Sequence, residues 1–125
     1  MRDMVPVQTR DTMTELRRGV LEHCVLAVVR RGESYAFDIV RVLSKSGGLV
    51  TSEGTIYPLL SRLRRDGLVT TTWRESTSGP PRRYYRITDA GQRTLDGFAA
   101  EWGRFREAVD GVLDGRPTKE DEDGR

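Results

Sequence analysis

The chain has 125 residues, a formal net charge of +2, and a composition that is 36% hydrophobic and 32% charged. This length suits one domain with an ordinary core and is short for a multidomain enzyme, while the composition excludes a disordered or fibrous protein. One cysteine excludes an intrachain disulfide and a thiolate zinc site. Because no apolar run approaches the roughly 18 residues of a membrane helix, and the charged N-terminus is unlike a secretory signal, we expect a cytoplasmic protein without membrane contact.

A flexible arm and a buried helix are predicted at the start of the chain. Residues 1–13 are polar and show no periodicity. A helix is expected from Thr14, a suitable N-cap, to about Arg31, because apolar residues recur at a spacing of four in a nearly continuous run. His23 and Cys24 point to different faces of this helix and make a poor ligand pair, so we expect a core thiol beside a hydrogen-bonded imidazole, and no metal site.

Two more helices are predicted before residue 67. Ser34 is expected to cap the second helix, which ends at the Ser46-Gly47-Gly48 break, and Ser52 to cap the third, which runs to about Asp66. Pro58 is awkward inside a helix, so we expect either a distortion near the helix start or a start later than Ser52. The apolar residues of the third helix share one narrow arc and are Ile56, Leu59, Leu60 and Leu63.

A β-hairpin and a long helix are predicted to follow. Residues 68–75 alternate as a strand, 76–82 are turn residues, and 83–88 form the second strand, in which one of two adjacent tyrosines packs inward. Thr88 is expected to cap the last helix, which ends at Gly115. Its apolar stripe is about five turns long and consists of Leu95, Phe98, Ala99, Trp102, Phe105, Val109, Val112 and Leu113.

Three helices followed by a hairpin are typical of a winged helix-turn-helix, whose third helix enters the major groove while the hairpin reaches the DNA backbone or minor groove. We therefore predict a mainly α chain with a small β-hairpin. Its parts are a flexible arm (1–13), a winged helix-turn-helix DNA-binding domain (14–88), a C-terminal dimerisation helix (89–115) and a disordered charged tail (116–125).

Charge is segregated along the chain. Residues 1–53 carry 8 basic and 7 acidic side chains, a net +1; residues 54–86 carry 7 and 2, a net +5; and residues 87–125 carry 6 and 10, a net −4. An arginine-rich helix face is often only solvated, but here the basic zone coincides with the predicted reading helix and hairpin. All seven of its bases are arginine, which suits bidentate contact with phosphate or guanine. Charge and architecture together favour a duplex DNA partner.

The candidate DNA contacts lie on the third helix and the hairpin. Thr55, Tyr57 and Pro58 lie near the helix N-terminus, where base edges are read, while the arginines that follow can clamp phosphate or guanine. Tyr57 can instead pack against the second helix, and Tyr35 into the core. The full set of expected contacts is Tyr35, Ser52, Thr55, Tyr57, Pro58, Arg62, Arg65, Ser78, Arg82 and Arg83.

The stripe of the last helix is too long for one small domain to cover, and pairing with a second copy would bury it. A dimer also spaces two reading helices roughly 34–36 Å apart, which suits near-palindromic operators. The alternative is an interaction module that holds a partner helix. The expected dimer residues are Leu16, Val20, Leu95, Phe98, Ala99, Trp102, Phe105, Val109, Val112 and Leu113.

The stretches SEGTIYPLLSRLRRDGL and ES-x-x-GPPRRYYRIT-x-AG, with YAFDIVRVL upstream, closely resemble the PadR family of transcriptional regulators. The resemblance spans about Leu16 to Leu113 and implies a repressor released by a small molecule. Trp102 falls where a relative that binds flat aromatic drugs carries a pore tryptophan, so an effector site is expected at Trp102, Phe98, Phe105 and Arg106. Simple interface packing is the alternative.

A cationic lining at Arg106 would favour anionic aromatic effectors, although Glu101 and Glu107 can neutralise it. With one histidine, one cysteine and no glycine-rich phosphate loop, the chain presents no catalytic set. We therefore expect neither an enzyme nor a cofactor. If binding to DNA ignored its sequence, an architectural DNA-binding protein would be the better interpretation.

Overall fold

The computed structural model describes residues 12–47, 49 and 52–116, so residues 1–11 of the predicted arm and 117–125 of the predicted tail lie outside it. The predicted fold class is confirmed: the described chain is mainly helical, with a small antiparallel sheet and a long final helix. The elements in order are α1 (Thr12–Arg17), α2 (Leu21–Arg31), β1 (Ser34–Tyr35), α3 (Ala36–Lys45), α4 (Glu53–Arg65), β2 (Val69–Ser76), β3 (Gly79–Ile87) and α5 (Asp89–Leu113).

The prediction of one helix from an N-cap at Thr14 to Arg31 is wrong, because α1 already begins at Thr12, within the predicted arm, and the helix is interrupted after Arg17. The chain forms α1 and α2, separated by a turn in which Gly19 has a φ of 81°. Glycine adopts this left-handed conformation at little cost, whereas a side chain there would be strained. The apolar spacing continues through the turn and therefore hides the break.

The sheet has a third strand that the sequence pattern does not predict. β1 pairs antiparallel with β3, so that Ser34 faces Tyr85 and Tyr35 faces Tyr84, and the strand order is β1-β3-β2. Ser34 is consequently not the cap of the second helix, because Tyr35 occupies the N-cap position of α3 with an extended backbone. Two residues are too few to show a strand periodicity.

The wing, defined as β2, β3 and their connecting turn, is longer than predicted. Only residues 77–78 form the turn, and Gly79 and the two prolines after it already belong to β3. The pairs Arg74–Arg82 and Ser76–Gly79 leave Glu75 opposite both prolines, which is a β-bulge. Proline is tolerated at a bulge because no ladder hydrogen bond needs its missing N–H.

The core lies between α2, α3, α4 and the inner face of the sheet. Its fully buried side chains belong mostly to helices, while Tyr85 points inward from β3 and Tyr84 is half-buried on the opposite face, as alternation predicts. The largest fully buried side chains are Leu26, Ile39, Ile56, Leu60, Leu63, Val25, Val29 and Val69.

The start of α5 is fixed by the predicted cap and by a close backbone approach. The Thr88 hydroxyl accepts a hydrogen bond from the Gly91 N–H at 3.0 Å and donates to the Gly67 carbonyl at 2.7 Å. A Cβ on Gly91 would lie only 2.2 Å from the Leu68 carbonyl oxygen, so glycine is required there. With 25 residues, α5 is about 37 Å long.

Leu95 corrects the predicted dimer surface. Its side chain is 4% exposed and belongs to the core of its own domain. The first turns of the apolar stripe on α5 thus pack against α2, and only the part beyond Leu95 is left for another partner. A helical projection cannot show this division, because buried and exposed segments lie on the same stripe.

Candidate nucleic-acid interface

Helix α4 presents one buried face and one polar exposed face. Ile56, Leu60 and Leu63 are at most 1% exposed, whereas Thr55, Pro58 and Arg65 on the other side are exposed. The helix begins at Glu53, directly after Ser52, and contains Pro58 as its sixth residue, so the alternative of a later start is wrong. Pro58 has no backbone N–H, so one helix hydrogen bond is missing at this position. Because Pro58 lies on the exposed face, the interruption is on the solvent side of the helix and not in the core.

The N-terminal turn of α4 is open to solvent. Ser52 has the extended backbone of an N-cap, but its hydroxyl lies 3.4 Å from the Thr55 hydroxyl and makes no capping bond to a helix N–H. The hydroxyls of both residues and the half-exposed ring of Tyr57 therefore surround a helix N-terminus that carries a partial positive charge. This arrangement favours an anionic partner that accepts hydrogen bonds.

Tyr57 is not buried against α3, which is the second predicted helix, because its side chain is 50% exposed. It lines a wing cleft of about 370 Å³ between α3, α4 and the wing. We define the wing cleft by its aromatic and cationic lining, which is Tyr35, Phe37, Tyr57, Trp73, Arg82, Arg83 and the buried Tyr85.

Both wing arginines of the cleft are held over aromatic rings. The Arg82 guanidinium lies 4.4 Å from the Tyr35 ring centroid, and that of Arg83 lies 4.9 Å from the Trp73 ring centroid. These cation–π contacts orient the two charges without neutralising them. Ser78, another predicted DNA contact, lies outside the cleft in the exposed turn at the tip of the wing.

Two exposed aromatic residues of the cleft were missed by sequence reasoning. Trp73 is 61% exposed and Phe37 is 54% exposed. Trp73 shares the strand face of buried Val69, and alternation alone therefore suggests burial, but the wing extends past the core at that point. Phe37 lies off the apolar arc of its helix, and that position is a usable signal for an exposed aromatic.

Three of the seven arginines in the basic zone are paired with carboxylates. Arg62 donates to Glu22 of α2 at 2.6 Å, and Arg74 and Arg86 both donate to Glu33. The hydrogen bonds from Arg86 and, to a smaller extent, the charge of Arg74 hold the pKa of the Glu33 carboxyl below its ordinary value. The net +5 of the segment therefore overstates the charge that it presents to solvent.

The remaining arginines are Arg64, Arg65, Arg82 and Arg83, none of which forms an ion pair with a described residue. Arg64 and Arg65 are exposed on α4, and the other two line the wing cleft. The uncompensated charge thus lies on the reading helix and the adjoining part of the wing. Positive charge that is exposed on α4 and held along the wing cleft suits a polyanion.

Beyond Leu95, α5 carries an exposed apolar stripe. Phe105 is 62%, Val112 73% and Leu113 77% exposed, and Leu16 of α1 is 64% exposed. Such a patch is unusual on a monomer. The predicted dimer residues left open by the fold are therefore Leu16, Val20, Phe98, Ala99, Trp102, Phe105, Val109, Val112 and Leu113.

An aromatic hollow of about 370 Å³ lies on this stripe, and we define it by Val20, Phe98, Trp102 and Phe105. The Phe98 and Trp102 rings are stacked at 5.8 Å, and Phe105 follows at 6.3 Å. Arg106 does not line the hollow, whose charged neighbours are Arg18 and Glu101. The cationic lining expected from Arg106 is thus absent from the hollow of a single chain.

His23 and Cys24 point in different directions, as predicted. The His23 ring stacks on Phe98 at 4.1 Å, and its Nδ1 lies 3.2 Å from the Gly19 carbonyl oxygen. Cys24 packs against the core, and burial raises the pKa of its thiol. Among the described residues, histidine, cysteine and carboxylate side chains nowhere form a group of three that could hold a metal ion.

Within the part of the chain that the structure describes, no helix combines the length and the apolar character needed to cross a bilayer.

Residues 25–97 match the model of the transcriptional regulator PadR-like family. The chain is 36% identical to Transcriptional regulator Rv3488 of Mycobacterium tuberculosis over 83 residues, which cover 66% of this chain and 76% of that relative. It resembles the crystal structure of a PadR-like transcriptional regulator from Bacillus cereus, with 38% identity and a TM-score of 0.71 over 79% of this chain and 96% of that one. A PadR family regulator from Eggerthella lenta gives 37% identity and a TM-score of 0.71 over 80% and 87% of the two chains.

Proposed function

Because the chain belongs to the PadR-like family of DNA-binding transcriptional regulators, which are not enzymes, we propose that it is a repressor. In this proposal it binds near-palindromic operators as a homodimer and is released by a small planar aromatic effector. The observation that carries the proposal is that the arginines of the basic zone without a described carboxylate partner lie on α4 and in the wing cleft, while α4 exposes Thr55, Tyr57 and Pro58 to solvent.

The open N-terminal turn of α4 is proposed to read base edges. Thr55, Tyr57 and Pro58 are exposed there and project away from the core. The hydroxyls of Thr55 and Tyr57 suit donor and acceptor groups on bases, and the Pro58 ring suits a thymine methyl group. Arg65, two turns later on the same face, is proposed to contact phosphate or guanine.

The wing and the loop ends are proposed to hold the sugar–phosphate backbone. Arg82 and Arg83, already oriented by their aromatic neighbours, would contact phosphates along the wing cleft. Ser52, Ser78 and the Tyr35 hydroxyl are proposed to donate hydrogen bonds to the same backbone. Arg62 can join them only by leaving Glu22 or by bridging Glu22 and a phosphate.

The exposed stripe of α5 is proposed to pair with a second copy of the chain. About four turns remain uncovered between Phe98 and Leu113, and Leu16 extends the apolar surface onto α1. A two-fold pairing would bury this surface on both chains at once. It would also fix the distance between the two reading helices, and the half-site spacing of the operator follows from that distance.

Effector release is proposed to begin at the aromatic hollow. A planar ligand between Trp102 and its mate in the dimer would displace Phe98, on which His23 of α2 is stacked. The neighbouring residue Glu22 holds Arg62 of the reading helix. One turn of α2 therefore touches both the hollow and α4, and a shift at the dimer helix can rotate the reading helices relative to each other.

Selection of bound fragments from random duplex DNA tests the operator proposal. We expect a palindrome whose half-sites are about one helical turn apart. Binding without sequence preference would instead indicate an architectural DNA-binding protein. Sedimentation of the free protein tests the dimer, since a single-chain mass would indicate an interaction module that uses α5 for a partner helix.

Tryptophan quenching tests the effector site. In a Trp73→Phe background, planar aromatic carboxylates and planar aromatic cations are titrated against the remaining Trp102 signal. We expect quenching together with loss of operator binding. If Trp102→Ala left release from DNA by the same compound unchanged, the hollow would not be the effector site.

A further inference from the structure

Glu33 connects the helical body to both strands of the wing. It lies between α2 and β1, and its side chain is only 16% exposed. One carboxylate oxygen accepts from the Arg74 guanidinium of β2, and the other accepts from Arg86 of β3, including a bond from Nε of 2.8 Å. A single carboxylate thus occupies two guanidinium groups.

The strand register places this cluster on the outer face of the sheet. Arg86 faces Thr70, and Arg74 faces Arg82, so these side chains alternate with the inward-pointing residues of the same strands. Arg74 also lies over the Tyr84 ring, 4.9 Å from its centroid. The carboxylate therefore reaches from the β1 edge across β3 to β2 and fixes both arginines on one side.

We infer that Glu33 limits the sequence-independent affinity of the protein for DNA by keeping Arg74 and Arg86 from the phosphates. This inference rests on the proposed DNA-binding function. Arginines that contact any phosphate raise affinity for all sequences equally, because the backbone carries no sequence information. Withholding two of seven arginines therefore lowers the affinity for random DNA while the base-reading turn of α4 is unaffected.

The size of the effect follows from counterion release. Each phosphate contact adds about 0.9 to the slope of log affinity against log salt. Two released arginines would add up to about 1.8, which is roughly a 12-fold additional change in affinity between 50 and 200 mM salt. Neutralising an acid elsewhere on the surface changes net charge equally but frees no wing arginine.

The test compares Glu33→Gln with Asp96→Asn, a matched loss of one negative charge. Asp96 lies on α5, outside the wing, and pairs with Arg30 of α2 at 2.8 Å. Affinity for a random-sequence duplex is measured by fluorescence anisotropy from 50 to 200 mM KCl. We expect the slope to increase by one to two in E33Q and to stay unchanged in D96N. Equal slopes in the two variants would overturn the inference.

A second pair of measurements does not depend on E33Q folding correctly. In the chain that retains Glu33, Arg74→Gln and Arg86→Gln should leave the slope on random DNA unchanged, because neither arginine reaches a phosphate. A slope lowered by about one in each variant would show that they already contact DNA, and the inference would be wrong. Failure of sequence-specific reading would appear separately, as a selection experiment that returns no common motif.

Discussion

Replacing Gly91 by alanine tests how α5 is seated on the winged domain. The new Cβ would lie 2.2 Å from the Leu68 carbonyl oxygen and 2.7 Å from Cγ1 of Ile87. Since that carbonyl is backbone and already accepts a hydrogen bond from the Thr88 N–H at 3.1 Å, it cannot turn away freely. The helix start must therefore move by about 1 Å, and overpacking of this kind costs about 1–3 kcal/mol.

Alanine also has an intrinsic advantage over glycine within a helix of up to about 1 kcal/mol. With the clash near the upper end of its range, the net loss for Gly91→Ala is about 2 kcal/mol. Gly97 is the matched control in the same helix, because a Cβ there would meet nothing within 4 Å. Gly97→Ala is therefore expected to stabilise the protein by up to about 1 kcal/mol.

Thermal unfolding followed by circular dichroism separates the two outcomes. For a domain of this size we expect Gly91→Ala to lower Tm by roughly 8 °C and Gly97→Ala to raise it by up to about 4 °C. All variants are compared at one protomer concentration, since the stability of a dimer depends on concentration. If Gly91→Ala were as stable as Gly97→Ala, the close approach of α5 to the α4–β2 junction would be refuted.

Three further predictions concern charge and the exposed stripe. Arg65→Gln should weaken DNA binding and lower its salt slope by about 1, whereas Arg64→Gln, on a solvated face, should change neither; anisotropy titrations measure both. Because Arg86 and Arg74 depress the pKa of Glu33 from 4.5, its pairs stabilise the fold above that pH and are lost as the pH falls through the depressed value. Wild type should therefore lose more urea resistance than Glu33→Gln when the pH is lowered from above 4.5 to below the depressed pKa of Glu33. Phe105→Asp should shift the sedimentation mass to one chain, while Arg104→Asp on the exposed surface beside it should not.

The elements with strong local signals were predictable from sequence. The arc of Ile56, Leu60 and Leu63 specifies both α4 and its buried face, and Thr88 caps α5 as expected, because a hydroxyl before an acidic first turn satisfies a free helix N–H. Pro58 was the exception within α4. A proline in the second turn is tolerated there because its missing donor lies on the exposed side of the helix.

The errors in the predicted helices, strands and dimer surface share a physical cause. Contacts between residues far apart in the sequence decide structure that the local residue pattern does not specify. Gly19 breaks the first helix although the apolar spacing continues through it. Ser34 enters a strand because the partner strand lies fifty residues later in the chain. Leu95 lies on the same stripe as Phe98, and only the position of α2 makes the first a core residue.

The fold decides which of the arginines in the basic zone are neutralised by a carboxylate, whereas the sequence gives only the net charge of the zone. The basic zone carries a net +5 by sequence, but carboxylates from outside the zone, Glu22 and Glu33, reach across 40 and 53 residues to Arg62 and Arg86. These partners lie in a segment whose own net charge is +1, so neither appears in the arithmetic of the zone. Within the basic zone, the arginines left without a carboxylate partner among the described residues lie on α4 and in the wing cleft. Specific binding then depends on where those charges are held, because the same total charge spread over the wing would favour any duplex equally.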